Sequence, residues 1–249
     1  MNMHLGVSCY MLDPVKIAES FSLAAEMLEL SMPIGGVAAA QQLRDEVLVP
    51  KNLKSVVSVL LMPENIVFDG GAELVPWEVG LEQLSILDPI YLRLVGCKKD
   101  VYDDKFIERI QLQIKQILPE AEKRGLTLAY ENHGEPLDVI QKILDNIPSD
   151  SFKILLDPGN SFRSHDDPEM LVDTLLPRTA YLHVKDVYYN ESGSVVDCVV
   201  GDGTFEWTKI IPKLKAANRD FIYLFELPSY KGDSVEGFRR SMENFQAMF

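Results

Sequence analysis

Three carboxylates and one imidazole close four apolar runs in the second half of the chain. Glu131 stands in "LTLAYENHGE", Asp157 in "FKILLDPGN", His183 in "AYLHVKDV" and Glu226 in "FIYLFELP". A strand sends alternate side chains to opposite faces. One face of the first run carries Thr127, Ala129, Glu131 and His133, and the second run gives Leu155 and Asp157. The third gives Tyr181, His183 and Lys185, and the fourth Ile222, Leu224 and Glu226. The four polar residues share one register, separated by steps of 26, 26 and 43 residues, about one strand-and-helix unit each with an additional loop in the last. A donor set rich in carboxylate oxygen suits Mn²⁺ or Mg²⁺, with Zn²⁺, Co²⁺ or Fe²⁺ compatible, and leaves coordination positions for substrate oxygens. Singly, each residue has a structural explanation: Asp157 before Pro158-Gly159 can shape a turn, His183 can be a hydrogen-bonded core histidine, and Glu226 can pair with Arg93 or Lys185. Four in one register favour a shared metal site.

These residues need strands to position them, and the chain offers eight. The runs "MHLGVSCY", "MLELSM", "SVVSVLLMP", "PIYLRLVG", "LTLAYEN", "FKILLDPGN", "AYLHVKDV" and "FIYLFELP" are mostly rich in β-branched and aromatic residues. Amphipathic segments separate them. "DDKFIERIQLQIKQILPEAEKRG" sets Phe106, Ile110, Ile114 and Ile117 at helical spacing and stops at Gly125. "EPLDVIQKILDNIP", "DPEMLVDTLLPRT", "EWTKIIPKLKAANR" and "DSVEGFRRSMENFQAMF" repeat the pattern, and "GGVAAAQQLRDEVLV" supplies an earlier helix. Strand followed by helix eight times over predicts an α/β fold, a (β/α)8 TIM barrel spanning 1–249 as a single domain, with its site at the C-terminal ends of the strands. A doubly wound open sheet is the competitor, but no G-x-G-x-x-G follows the first strand. Residues 63–88, with Phe68 and Trp77, mix loop and helix signals and are expected to form a loop over the site.

The net charge of −14 argues against a phosphodiester-binding role, which needs a basic face. No run of eighteen apolar residues is long enough to span a membrane. The opening "MNMHLGVSCYMLDPVKIAES" lacks the basic and apolar regions of a signal peptide. Cys9, Cys97 and Cys198 are odd in number and widely spaced, so no disulfide framework is expected and a cytoplasmic location fits.

With these residues assembled, the sequence resembles the xylose isomerase-like TIM-barrel superfamily of sugar isomerases, epimerases and family 2 AP endonucleases. "YENHG", "LLDPGN", "YLHVKD", "GDGTFEW" and "FELP" follow the order and spacing of that family's motifs over strands five to eight. The resemblance implies metal binding by Glu131, Asp157, His183 and Glu226. Two positions depart from it. Asn160 stands where many epimerases of the group carry a histidine, and Tyr189 where ketose 3-epimerases carry a substrate-binding arginine. The endonuclease branch uses a multi-zinc cluster with many histidines, whereas this chain has four histidines in all.

The expected activity is a metal-dependent sugar isomerisation or epimerisation. Glu131 and Glu226 act as catalytic carboxylates that remove and return a proton next to a carbonyl. Lys185 and Arg93 add positive charge near the developing oxyanion. His133 binds a substrate hydroxyl or supports Glu131, and Asn160 lies near the substrate. A dehydratase-type lyase acting on a keto-sugar or inosose, a non-catalytic sugar-binding relative and, least of all, an AP endonuclease are the alternatives. "GDGTFEW" offers glycines where barrels cradle phosphate, but Asp197, Asp202 and Glu206 crowd it with negative charge. A neutral sugar or polyol-derived small molecule is therefore the expected partner, with no nucleic acid and no membrane; a homo-oligomer is compatible with all of this.

Overall fold

In the computed structural model, which describes residues 2–9, 25–30, 36–62, 65–68, 74–96 and 101–249, every one of the eight apolar runs contains a strand. In chain order the strands are β1 (Met3–Ser8), β2 (Met27–Leu30), β3 (Lys54–Met62), β4 (Asn65–Phe68), β5 (Leu74–Pro76) and β6 (Pro89–Gly96). The rest are β7 (Thr127–Glu131), β8 (Phe152–Leu156), β9 (Thr179–Val184), β10 (Asp186–Tyr189), β11 (Val195–Cys198) and β12 (Phe221–Phe225). Parallel pairings run β2-β1-β12-β9-β8-β7-β6-β3, and β3 pairs back onto β2, which closes the eight-stranded TIM barrel.

Helices cover the outside: α1 (Gly36–Leu43), α2 (Trp77–Leu84), α3 (Asp104–Lys123), α4 (Leu137–Asp145), the short α5 (Ser161–Ser164), α6 (Pro168–Leu175), α7 (Trp207–Ala216) and α8 (Ser234–Met248). In α3 the expected stripe of Phe106, Ile110, Ile114 and Ile117 is buried. The Asp103 carboxylate caps its first turn by accepting from the Phe106 amide at 2.9 Å. Gly125, at φ +71°, ends it in a backbone conformation that side-chain-bearing residues rarely adopt. Asp233 caps α8 in the same way. Phe245 on α8 then meets the rings of Trp207, Tyr223, Phe225 and Phe249 at centroid distances of 5.2–5.7 Å, locking the last helix to the wall.

The described residues of 63–88 form strands and a helix where a loop is expected. Within it β4 and β5 extend β3 as antiparallel strands, α2 follows, and Trp77 opens that helix against the outer core. The mixed signals arise because strand and helix follow each other there with almost no connection. Residues 63–64 and 69–73, the side chain of Phe68, and Cys97 lie outside the described residues. The long step between His183 and Glu226 holds the antiparallel hairpin β10–β11. Cys9 and Cys198 are both buried, and the Cys9 thiol donates to the Val7 carbonyl oxygen at 3.9 Å. Among the described residues no helix is long and apolar enough to cross a membrane.

Inside the barrel, period-two alternation builds two layers. The lower is an apolar plug of Met27, Val56, Ala129, Leu155, Tyr181 and Leu224, with Tyr91 stacked on Tyr181 at 5.2 Å. Gly6 completes it on β1, where a Cβ would stand 2.2 Å from Leu224 Cδ2 and 2.7 Å from the Met27 carbonyl oxygen. Two residues further along each strand the inward position is polar: Ser8, Glu29, Ser58, Arg93, Glu131, Asp157, His183 and Glu226, all buried.

Truncating Phe245 to alanine removes the buried ring that joins α7, α8 and β12. The loss should be about 3–5 kcal/mol of folding stability, read as a lowered urea midpoint at unchanged slope.

Candidate metal centre

Ligand atoms of Glu131, Asp157, His183 and Glu226 lie within 4.8 Å of one another, and all four residues are buried. They come from the ends of β7, β8, β9 and β12, which are consecutive around the barrel. His183 Nδ1 stands 3.8 Å from Glu131 Oε1, 3.7 Å from Asp157 Oδ2 and 3.6 Å from Glu226 Oε2. It is buried and makes no hydrogen bond. These separations are too long for hydrogen bonds, yet suit atoms that share a cation between them.

Charge points the same way. Glu29, Glu131, Asp157 and Glu226 supply four buried carboxylates, against the permanent cations Arg93 and Lys185. Two negative charges remain over, which one divalent ion cancels. Without a metal the site compensates through protons. Burial alone would keep the His183 ring neutral, but Glu29 and Glu226 lift its pKa from 6.5 to about 10. Burial likewise opposes a charge on Lys185, yet Asp157 and Glu226 hold it above the usual lysine range. Glu29 feels the largest effect from burial, which raises it; Arg93 and His183 outweigh that and pull it to about 2.

Arg93 reaches three of the carboxylates. Its Nε and Nη2 donate to Glu131 Oε2 at 2.9 and 2.6 Å, Nη1 donates to Glu29 Oε1 at 2.7 Å, and Nη2 lies 3.7 Å from Glu226 Oε1. All three guanidinium nitrogens are thus held by carboxylates, which places Arg93 as the counter-ion of the ring. Lys185 Nζ lies 2.7 Å from Asp157 Oδ2 and donates to Glu226 Oε2 at 3.1 Å and to Asn160 Oδ1 at 2.9 Å. Its stem passes over Gly159, where a Cβ would meet Lys185 Cγ at 2.8 Å. Asn160 Nδ2 donates to Glu131 Oε1 at 3.2 Å, so both residues support the ligand set. His133 does not hydrogen-bond Glu131; its Nε2 meets Arg163 Nη1 at 3.2 Å. A guanidinium only donates, so Nε2 accepts and Nδ1 carries the ring proton.

Two contributors escaped the sequence reading. Glu29 on β2 touches His183 Nε2 at 3.0 Å; a lone carboxylate at an inward position of the four-residue strand "MLEL" was the available signal. Asn132 continues the ladder with its side chain, donating to the Asp157 carbonyl oxygen and accepting from the Asp157 amide, both at 2.7 Å. It thereby fixes the backbone of a candidate ligand just beyond the end of β8.

Residues 80–248 match the family described as "Xylose isomerase-like TIM barrel", more than half of the chain, and the chain belongs to that family. No curated protein matches the sequence. Among solved structures, L-ribulose 3-epimerase superposes with a TM-score of 0.77 at 12% identity, covering 99% of this chain and 94% of that one. The IOLI protein with a bound zinc atom gives 0.76 at 14% identity, covering 99% and 98%. The probable 3-DHS dehydratase AsbF from Bacillus anthracis gives 0.70 at 15% identity, covering 98% and 99%. At these identities the likeness is one of fold.

A raised histidine pKa stabilises the metal-free fold fully below the unfolded value, near 6.5, and that contribution is lost as the pH climbs toward about 10. A cation on Nδ1 replaces the proton. The rise in melting temperature on adding Mn²⁺ to EDTA-treated protein should therefore be larger at pH 9 than at pH 6.5. An equal rise at both values in a thermal melt would show that His183 is not a ligand.

Proposed function

We propose that this protein is a divalent-metal-dependent isomerase or epimerase of an unphosphorylated sugar or polyol-derived ketone. It moves a proton at the carbon beside the carbonyl, using Glu131 and Glu226. The observation that carries this reading is the pair of glutamates flanking one buried centre, on β7 and just past β12, with Asp157 and His183 between them. Glu131, Asp157, His183 and Glu226 would hold the ion, which supplies Lewis acidity that polarises the carbonyl.

The side chains around the centre divide the remaining work. Arg93 fixes Glu131 through Oε2 and Lys185 fixes Glu226 through Oε2, so the two carboxylates keep a set separation. One takes the proton from one face of the substrate carbon, and the other returns a proton to the opposite face. In the metal-free protein burial pushes the Glu226 carboxyl up, but Lys185, His183 and Arg93 together hold it well below the usual range. A base that weak needs a strongly acidified C–H bond, which accounts for a Lewis acid in the same site. Lys185 stays an ammonium and so acts as a donor to an enediolate oxygen, not as a base. His133, although drawn toward protonation by Glu131, is kept neutral by burial and by Arg163 and Lys185. Its Nδ1–H is then free for a substrate hydroxyl.

The case against a phosphorylated substrate rests on Asp186. The turn "GDGTFEW" would cradle phosphate with its backbone amides. Those of Gly201, Gly203 and Phe205 instead donate to the Asp186 carboxylate at 2.9, 3.3 and 3.0 Å. A Cβ on Gly203 would stand 2.2 Å from Asp186 Oδ1, so the cradle is filled by the protein itself.

A panel of ketoses and aldoses incubated with Mn²⁺ in deuterated water should show deuterium at the carbon beside the carbonyl. Glu131→Gln and Glu226→Gln should each abolish that exchange, and His133→Ala should slow it by about 10–100-fold. Near-normal turnover in Glu226→Gln would exclude the two-carboxylate mechanism, and net loss of water would mark a dehydratase. For matched pairs, kcat/KM should favour the free sugar; a preference of about tenfold or more for the phosphorylated member would overturn the substrate class.

A further inference from the structure

The imidazole of His183 faces the candidate ligands with Nδ1, while Nε2 lies 3.0 Å from Oε2 of Glu29. An ionised carboxylate can only accept, so Nε2 carries a proton; once a cation takes the place of the second ring proton, it is Nδ1 that offers the lone pair. Glu29 is itself tightly held. Arg93 Nη1 at 2.7 Å and Ser8 Oγ at 2.9 Å donate to Oε1, and the Tyr181 hydroxyl donates to Oε2 at 3.2 Å. Oε2 thus receives two donors from β9, while Oε1 is tied by Arg93 to Glu131. A mere counter-ion to Arg93 would have no need to address the far nitrogen of a candidate ligand.

We propose that Glu29 is the positioning residue of the metal centre: it selects the tautomer of His183 and sets its ring plane, so that Nδ1 arrives as a ligand. The role rests on the metal-site reading of the proposed function. It also reaches further, because it places a determinant of metal affinity on β2, across the barrel mouth from His183. Glutamine at position 29 cannot do the same. If its amide oxygen faces Nε2, its NH2 meets the Arg93 donor. If its NH2 faces Nε2, the ring proton is forced onto Nδ1, where a cation should bind.

The test compares wild type, Glu29→Gln, Glu29→Asp and Ser8→Ala by Mn²⁺ affinity and by the imidazole nitrogen coupling in the electron spin echo spectrum. Glu29→Gln should bind Mn²⁺ about 10–100-fold more weakly, with the nitrogen coupling lost or altered. Glu29→Asp should recover part of the affinity, and Ser8→Ala, which removes only a support of Oε1, should match wild type. Nitrogen NMR of Mg²⁺-loaded wild type should show the His183 proton on Nε2, a reading that needs no variant to fold. Equal Mn²⁺ affinity and spectra in wild type and Glu29→Gln, or a proton on Nδ1, would overturn the role of Glu29 alone. No Mn²⁺ binding by wild type would overturn the metal site and this role together.

Discussion

The barrel mouth has to bury more negative charge than its own cations can neutralise. An uncompensated buried ion costs several kcal/mol even after the surroundings relax, so the architecture around it follows from the need for partners. Arg93 enters from β6 in the same layer as the candidate ligands and reaches three carboxylates. Lys185 comes over the top along Gly159. The apolar plug below keeps water out, which strengthens each of these pairings and makes every missing partner expensive. Fold and site are the same arrangement: one layer of inward residues makes the interior dry, and the next layer uses the dryness.

Much of this was legible because the alternation of a strand is strict. Once Ala129, Leu155, Tyr181 and Leu224 are read as inward, the residue two places on must be inward as well, and four polar residues fall into register. The outer helices were equally plain where stripes were long, as in α3. Glu29 left a faint signal as a lone inward carboxylate, but its pairing was not legible, since Arg93 and His183 lie 64 and 154 residues away and only barrel closure brings them together. Arg93 was legible as a nearby cation, but sequence gives no count of the carboxylates around it. The antiparallel β4–β5 extension and the β10–β11 hairpin appeared only as an irregular stretch and an overlong step, because their pairing is set by tertiary contacts.

The histidines show why a one-ion centre fits this chain better than a multi-metal cluster. His4 pairs with Glu26, close to the N-terminal ends of β1 and β2. His165 is exposed at the end of α5, in a left-handed conformation. His133 is engaged with Arg163. Among the described residues His183 is the one histidine in the ligand group, and that group is the single one detected. Oxygen donors therefore dominate the candidate ligand group, a set that suits a hard divalent ion.

The plug has a topological consequence. Because Met27, Val56, Tyr91, Ala129, Leu155, Tyr181 and Leu224 fill the section below the polar ring, the barrel is a vessel with one opening. Under the proposed function, substrate, product, water and the cation would all use the same door. A bound sugar would then stopper it, and a proton lifted onto a glutamate in the proposed reaction would have no rear exit through which to trade places with bulk solvent. Retention or washing-out of a label at the reacting carbon would thus depend on the dwell time of the ligand at the rim and not on the walls.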